Sequence, residues 1–154
     1  MKFSDIDRKE WFKLQPYLDT CVIPVTGLDG TEEPWKAVQE LEFLRSLLEF
    51  VEIPYKGRIV TYPALHYVDY EADSSPMIEQ VCGNLKRAGF RYTIVMAADW
   101  KAVPGELTQA DLVLVPQETD GRAMNSESFK QLVDAKVQQL WRKEANNGEH
   151  ADPS

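Results

Sequence analysis

The chain has 154 residues, 44% of them hydrophobic, and carries a formal net charge of −8 at pH 7. This length suits one domain, which we predict over residues 1–146, followed by a disordered tail over residues 147–154. The negative charge argues against nucleic-acid binding and against docking on anionic lipid. No apolar run approaches the roughly 18 residues of a membrane span, and the N-terminus lacks the apolar stretch of a signal peptide. The sequence therefore predicts a cytoplasmic protein without membrane insertion.

The first third of the chain predicts a short helix, a strand and a long helix. Ser4 opens a Ser-x-x-Asp helix start, and Pro16 is expected to end that helix. An apolar run predicts the first strand over about residues 19–26. Thr31 is expected to cap a helix that ends at Pro54 and carries an apolar stripe. The residues of this stripe are Trp35, Val38, Leu41, Leu44, Leu48 and Val51.

The rest of the chain continues the alternation of strands and helices. A second strand is predicted over residues 58–62, and a helix begins at Pro76 and ends before Gly89. Two further strands are predicted over residues 91–97 and 112–115. A last helix, over about residues 126–144, carries a stripe that includes Trp141.

Four short runs of consecutive aliphatic residues are typical of strands that are covered on both faces. The sequence therefore predicts an α/β fold: a three-layer sandwich with a mostly parallel sheet of about four strands and helices on both faces. The direction of the fourth strand stays open, because only about a dozen residues precede it. The residues expected at the centre of the sheet are Ile23, Val25, Ile59, Val60, Ile94, Val95, Val113 and Val115.

An acidic residue follows every predicted strand. The carboxyl ends of parallel strands meet at one edge of a sheet, which is where ligands bind in open α/β folds. Acidic side chains there suit a cation or a basic group, although aspartate is also common in turns and helix caps. The candidate binding residues are Asp29, His66, Asp69, Asp99, Trp100 and Asp120.

No catalytic signature accompanies these residues. The chain has no Gly-x-Ser-x-Gly nucleophile elbow, and its two cysteines, Cys21 and Cys82, are expected to be small buried residues. The glycine-bearing loop over residues 26–31 resembles a phosphate-binding loop, but three acidic residues at this helix start would repel a phosphate. We therefore predict no catalytic residue, no bound metal and no cofactor.

Two segments carry a family resemblance. Residues 17–24 (YLDTCVIP) and 55–64 (YKGRIVTYPA) resemble the YpiF-like family of uncharacterised proteins from bacilli. The resemblance covers most of residues 5–100 and implies a bacterial protein. It implies no active site, since none is established for that family.

A second resemblance is to creatininase-type amidohydrolases. Residues 22–27 (VIPVTG), a long helix and residues 60–67 (VTYPALHY) are similar in order to that family, but the metal-binding histidines are absent.

The sequence as a whole leaves two possible functions. The leading one is a non-catalytic binding or regulatory domain whose partner is another protein or a small cationic ligand. The alternative is a hydrolase that uses Asp29, His66, Asp99 and Asp120 around a divalent metal.

Overall fold

A computed structural model describes residues 1–73, 75–116 and 126–150 of the chain. Its helices are α1 (Arg8–Leu14), α2 (Pro34–Glu52), α3 (Ser75–Arg87) and α4 (Ser126–His150). Its strands are β1 (Thr20–Leu28), β2 (Ile59–Thr61), β3 (Leu65–Tyr67), β4 (Tyr92–Ala97) and β5 (Leu112–Leu114). Short 3₁₀ helices lie at Phe3–Asp5 and Trp100–Ala102. None of the helices in these described segments is long and apolar enough to cross a membrane.

The strands form one sheet in the order β2-β1-β4-β5, and every described strand pair is parallel. The fourth predicted strand, β5, is therefore parallel as well. The described sheet has five strands because β3 also pairs with β1, beyond the end of β2. Pro63 lies in the gap between β2 and β3, and a proline has no N–H to donate to a neighbouring strand.

Helices cover both faces of the sheet. Val22 and Ile94 pack with α2 and α4 residues such as Leu47 and Val133 on one face. The intervening positions of β1 and β4 point to the other face, where they pack with α3 and with partly buried residues of α1. This alternation follows from the two-residue period of a strand. The α/β class and the layered arrangement are thus confirmed.

The predicted core residues are buried in β1, β2 and β4 but not at β5. Val113 of β5 is exposed, and Val115, just after β5, is only half-buried. The covered face of this edge strand is the opposite one, where Leu114 packs in the cluster that includes α4. Both cysteines are free and buried, as predicted. The six other predicted core residues are buried, namely Ile23, Val25, Ile59, Val60, Ile94 and Val95.

Three helix boundaries differ from the sequence predictions. Asp7, not Ser4, caps α1, with its Oδ1 accepting a hydrogen bond from the Glu10 amide at 2.7 Å. Helix α2 begins at Pro34 instead of directly after Thr31, because proline suits a first helical position. Helix α4 continues to His150 and so includes part of the predicted tail, of which residues 151–154 lie outside the described residues. The single-domain division stays a prediction.

Candidate functional site

A cavity of about 590 Å³ lies at the carboxyl edge of the sheet, beside the first turns of α2. We call it the carboxyl-edge cavity. It combines three acidic, two basic and two aromatic side chains. Its lining residues are Thr26, Gly27, Glu32, Lys36, Glu40, Tyr70, Ala72, Asp99, Trp100, Lys101 and Pro104.

Gly27 shapes the floor of the cavity. Between the pairs Val25–Leu65 and Leu28–Tyr67, β1 advances three residues while β3 advances two, so β1 contains a bulge. Gly27 has a φ of +84° within this bulge, and its carbonyl accepts a hydrogen bond from the Tyr70 hydroxyl. A Cβ atom at Gly27 would lie 2.7 Å from that hydroxyl. Glycine is therefore needed both for the backbone conformation and for the close approach of Tyr70.

The pKa of Tyr70 reflects its burial and the charges around the cavity. Burial, and after it the negative charges of the surrounding carboxylates, together raise the pKa of Tyr70 to about 12. A carboxylate near a phenol disfavours the phenolate, because both groups then carry negative charge. Tyr70 is therefore a neutral hydrogen-bond donor in a negative environment at neutral pH. The contributing carboxylates belong to Asp99, Asp29, Glu32 and Glu40.

Asp99 and Trp100 form one wall of the cavity. They follow β4, and Asp99 Oδ1 accepts a hydrogen bond from the Lys101 amide at 2.9 Å, which caps the short 3₁₀ helix. Trp100 is 46% exposed, so a large part of its ring is accessible. An anionic carboxylate and an aromatic face therefore lie on adjacent residues of one wall.

Lys36 and Glu40 form the wall contributed by α2. The Lys36 ammonium lies 3.3 Å from Glu40 Oε1, and Glu40 is only 8% exposed. Neither residue is among the predicted site residues, because the apolar spacing of Trp35, Val38 and Leu41 predicted a core position for this part of α2. The available signal was the i, i+4 pair of opposite charges in the first turns of the helix.

The loop that resembles a phosphate-binding loop is occupied by its own side chain. The Glu32 carboxylate accepts hydrogen bonds from the amides of Asp29 and Gly30, both at 3.0 Å. Asp29 accepts hydrogen bonds from the hydroxyl and amide of Thr31, which lower the pKa of Asp29. The amides that would have to bind a phosphate already bind a carboxylate, in line with the sequence argument against a phosphate site.

The remaining predicted site residues do not line this cavity. His66 is exposed and lies beside a separate groove, and its Nδ1 is 3.4 Å from the Thr26 hydroxyl. Asp69 is exposed, and its Oδ1 accepts a hydrogen bond from the Glu71 amide at 3.0 Å within a turn. Asp29 is near Tyr70 but is engaged in its own loop. Asp120 lies outside the described residues.

The arrangement does not support the metal-dependent hydrolase alternative. Among the residues whose side chains the structure describes, no three His, Cys, Asp or Glu side chains are grouped so that they could hold a metal ion. Asp29, His66 and Asp99 occupy three different local settings. The alternative would need these residues to converge on one ion.

Comparisons with known proteins assign the chain to a family. Residues 9–144 match the model of a family described as "Protein of unknown function (DUF2487)". The chain belongs to this family. It is also 32% identical over 69 residues to the uncharacterised protein YpiF of Bacillus subtilis (strain 168), a match that covers 45% of this chain and 47% of YpiF. The chain thus matches about half the length of this curated relative.

These matches confirm the predicted resemblance to YpiF-like proteins and carry no assigned chemistry. None of them supports the resemblance to creatininase-type amidohydrolases. No solved structure matches the chain significantly. The function of this DUF2487 protein must therefore be argued from the site.

Proposed function

We propose that this domain is a non-catalytic binding module that takes a small organic cation into the carboxyl-edge cavity. The observation that carries the proposal is a wall on which the Asp99 carboxylate and the exposed Trp100 ring are adjacent. A pocket of about 590 Å³ with aromatic walls and a few convergent polar groups has the size and composition of small-molecule sites.

The charges of the lining favour a cation. Three carboxylates, those of Glu32, Glu40 and Asp99, outnumber the two ammonium groups of Lys36 and Lys101. Lys36 is paired with Glu40, and Glu32 is held by backbone amides. Asp99 accepts a single amide hydrogen bond, through Oδ1, so it is the least engaged of the three carboxylates and supplies the oxygen for the ligand.

The aromatic side chains favour an organic cation over a metal ion. The exposed face of Trp100 offers a cation–π contact, a kind of interaction that contributes about 0.5–2 kcal/mol depending on exposure. Tyr70 is fixed by its hydrogen bond to the Gly27 carbonyl, which makes it a rigid second wall. An ammonium group on Asp99, with its carbon atoms against these rings, uses both features.

The proposal is tested by titrating the ¹⁵N-labelled protein with butane-1,4-diammonium and with tetramethylammonium, using sulfate as the anionic control. We expect saturable shifts of the Trp100 indole N–H with the cations and none with sulfate. Added salt should weaken the binding, because charges in a partly exposed site are screened. Absence of saturable shifts with both cations contradicts the proposal.

Matched variants locate the site. Asp99→Asn and Trp100→Ala should each weaken cation binding by about tenfold, the effect of losing roughly 1.4 kcal/mol. Asp69→Asn is the control, because Asp69 is an exposed acid after a neighbouring strand but lies outside the cavity lining. Equal losses in Asp69→Asn and Asp99→Asn would indicate a general charge effect instead of a site.

We also propose that the protein acts in the bacterial cytoplasm. The bacterial assignment is supported by the relative from Bacillus subtilis. The cytoplasmic assignment is supported by the two free, buried cysteines, which suit a reducing compartment. Fractionation of a native host with an antibody against the domain tests this location.

A further inference from the structure

A second concave surface lies on the other side of α2, next to the edge formed by β2 and β3. It is a groove of about 220 Å³, which we call the α2 groove. Most of its lining is apolar. The lining residues are Lys2, Phe3, Pro24, Leu41, Leu44, Arg45, Leu48, Thr61, Tyr62, Pro63, Ala64 and His66.

The α2 groove continues into an exposed apolar stripe along α2. Trp35 is 60% exposed and Val38 is 52% exposed, and they lead to Leu41 on the groove wall at 42%. These residues follow each other at three-residue spacing, so they lie on one side of the helix. The sequence analysis assigned them to the core. They instead form an apolar surface with a tryptophan, the residue type most enriched at protein-binding hot spots.

Thr61 provides a polar group that lacks a partner. It is only 5% exposed, it lines the groove, and no described residue offers its Oγ1 a hydrogen bond. A buried hydroxyl without a partner costs free energy and is rare in native proteins. Its position in the groove is explained if a bound segment supplies the missing hydrogen bond.

The charge of the groove is opposite to that of the chain. Lys2 and Arg45 are its charged lining residues, and none of its described lining residues is acidic. The whole chain has a formal net charge of −8. A basic groove on an acidic protein favours an acidic partner, because complementary charges both steer association and exclude wrong partners.

We propose that the α2 groove binds an acidic segment of another protein in extended conformation. An aliphatic side chain of the segment enters the groove between Leu41 and Leu44, and a backbone group of the segment pairs with the Thr61 hydroxyl. Flanking carboxylates lie against Lys2 and Arg45. The backbone edge of β2 is already paired with the N-terminal residues, because the Thr61 amide donates to the Met1 carbonyl and Lys2 bridges to Thr61. The segment therefore lies in the groove between these N-terminal residues and α2, and its extended conformation is a common form of a recognised peptide.

The test uses a fluorescein-labelled peptide of about seven residues, with an aliphatic centre and glutamates on both flanks, as expected for an extended segment. A second peptide carries lysines in place of the glutamates. In fluorescence anisotropy we expect saturable binding of the acidic peptide and at least about tenfold weaker binding of the lysine peptide. No saturable binding of the acidic peptide, or equal binding of both, overturns the proposal.

Two pairs of variants locate the binding surface. Leu41→Glu and Arg45→Glu should weaken the acidic peptide by at least about tenfold. Leu132→Glu and Arg142→Glu are the matched controls on α4, since Leu132 is 39% exposed and Arg142 is exposed as well. The controls should change the affinity by less than about twofold, as expected for residues outside the interface. Equal effects of both pairs place the peptide elsewhere and overturn the proposal.

Thr61→Val separates the hydroxyl from the shape of the groove. We expect about fivefold weaker peptide binding and no loss in the unfolding midpoint, because the hydroxyl has no hydrogen bond to lose within the described protein. A lowered midpoint with unchanged binding assigns the hydroxyl to folding and removes this part of the argument. Sedimentation of the protein alone completes the test: a dimer that Leu41→Glu disrupts identifies a second copy as the occupant and overturns the acidic segment.

Discussion

At the amino-terminal edge of the sheet, Arg58 lies over the Trp141 ring at 3.9 Å and donates two hydrogen bonds to Asp19, at 2.9 and 3.1 Å. The Trp141 indole in turn donates to the Thr20 hydroxyl at 3.1 Å. At the carboxyl edge, the other tryptophan beside the sheet, Trp100, is half exposed on the wall of a cavity. The same residue type thus joins a closed polar network at one edge and borders an open site at the other.

The difference follows from what each edge has to do. Helix α4 is held to the amino-terminal edge by these contacts, because Trp141 belongs to α4 whereas Thr20 and Arg58 belong to the sheet region. Among the residues that the structure describes, no such network holds a helix to the carboxyl edge. Its acidic and aromatic side chains line a cavity, so they are available to a ligand. In this fold, contacts at one edge of the sheet stabilise the structure, while side chains at the other edge line the candidate binding site.

The largest expected effect is the loss of Trp141. Trp141→Ala should lower the free energy of unfolding by about 3 kcal/mol, since it removes a packed aromatic and its hydrogen bond. The measurement is equilibrium unfolding in urea. Trp35→Ala is the control, because this exposed tryptophan should cost less than about 0.5 kcal/mol. Similar losses of unfolding free energy in both variants would contradict a stabilising role for the contacts of Trp141 at the amino-terminal edge.

Gly27→Ala should destabilise the carboxyl edge by about 2 kcal/mol, through a positive φ and a contact with the Tyr70 hydroxyl. Gly30→Ala is a matched control. Gly30 also has a positive φ, of +92°, but no atom lies within 4 Å of a Cβ built there. Gly30→Ala should therefore show only the backbone strain, about 1 kcal/mol. Equal urea midpoints for the two variants would mean that Tyr70 does not press on Gly27.

Arg58→Lys should cost about 1 kcal/mol, because lysine keeps the charge but loses the paired hydrogen bonds and the stacking on Trp141. The effect is small because the side chain of Arg58 is partly exposed. Arg142→Lys, at an exposed position of α4, should leave the urea midpoint unchanged. A midpoint for Arg58→Lys equal to that of the wild type would show that charge alone holds the network together.

Tyr70→Phe should have the smallest effect at neutral pH, about 0.5–1 kcal/mol for one hydrogen bond. Above pH 10, the stability difference between the wild type and Tyr70→Phe should change. The folded pKa of Tyr70 is raised to about 12, from an ordinary value of 10.0, so the folded state holds this proton more tightly. Wild-type stability should fall as pH rises from about 10 to 12, and Tyr70→Phe should lack this part of the loss.

A spectroscopic titration checks the assignment independently. The tyrosinate absorbance of the wild type minus that of Tyr70→Phe should have its midpoint near pH 12. The subtraction is needed because burial also raises the pKa of Tyr55 and of Tyr62. A difference curve with its midpoint near the ordinary value of 10.0 would contradict both the burial of the Tyr70 hydroxyl and the negative environment around it.

The sequence was sufficient to predict the sheet and one wall of the cavity. Consecutive aliphatic residues mark buried parallel strands, and a residue that directly follows such a strand has little freedom in where it lies. Asp99 and Trp100 could therefore be placed at the carboxyl edge. The predicted second strand ended at residue 62, just before Pro63, so the short strand β3 that follows this proline was missed.

The α2 wall and the Tyr70 wall of the carboxyl-edge cavity could not be predicted from the sequence, for physical reasons. Periodicity alone treats the whole apolar face of a helix as core, but the first turns of α2 lie beside the cavity at the strand ends. Trp35, on the apolar stripe, is exposed, whereas Glu40, on the cavity wall, is buried and paired. Tyr70, 43 residues further along the chain, is held in the cavity by its hydrogen bond to the Gly27 carbonyl in the β1 bulge. Such long-range contacts have no signature in the local sequence.

The most direct test of the account is the unfolding free energy of the wild type and of Trp100→Ala, each with and without butane-1,4-diammonium. The account predicts that Trp100→Ala costs less than about 1 kcal/mol without the cation, as for a half-exposed side chain. At a cation concentration 100 times its Kd, the wild type should gain about 2.7 kcal/mol and the variant clearly less. A loss of about 3–5 kcal/mol in the variant without the cation would instead make Trp100 a core residue. Equal gains in both proteins would place the cation elsewhere.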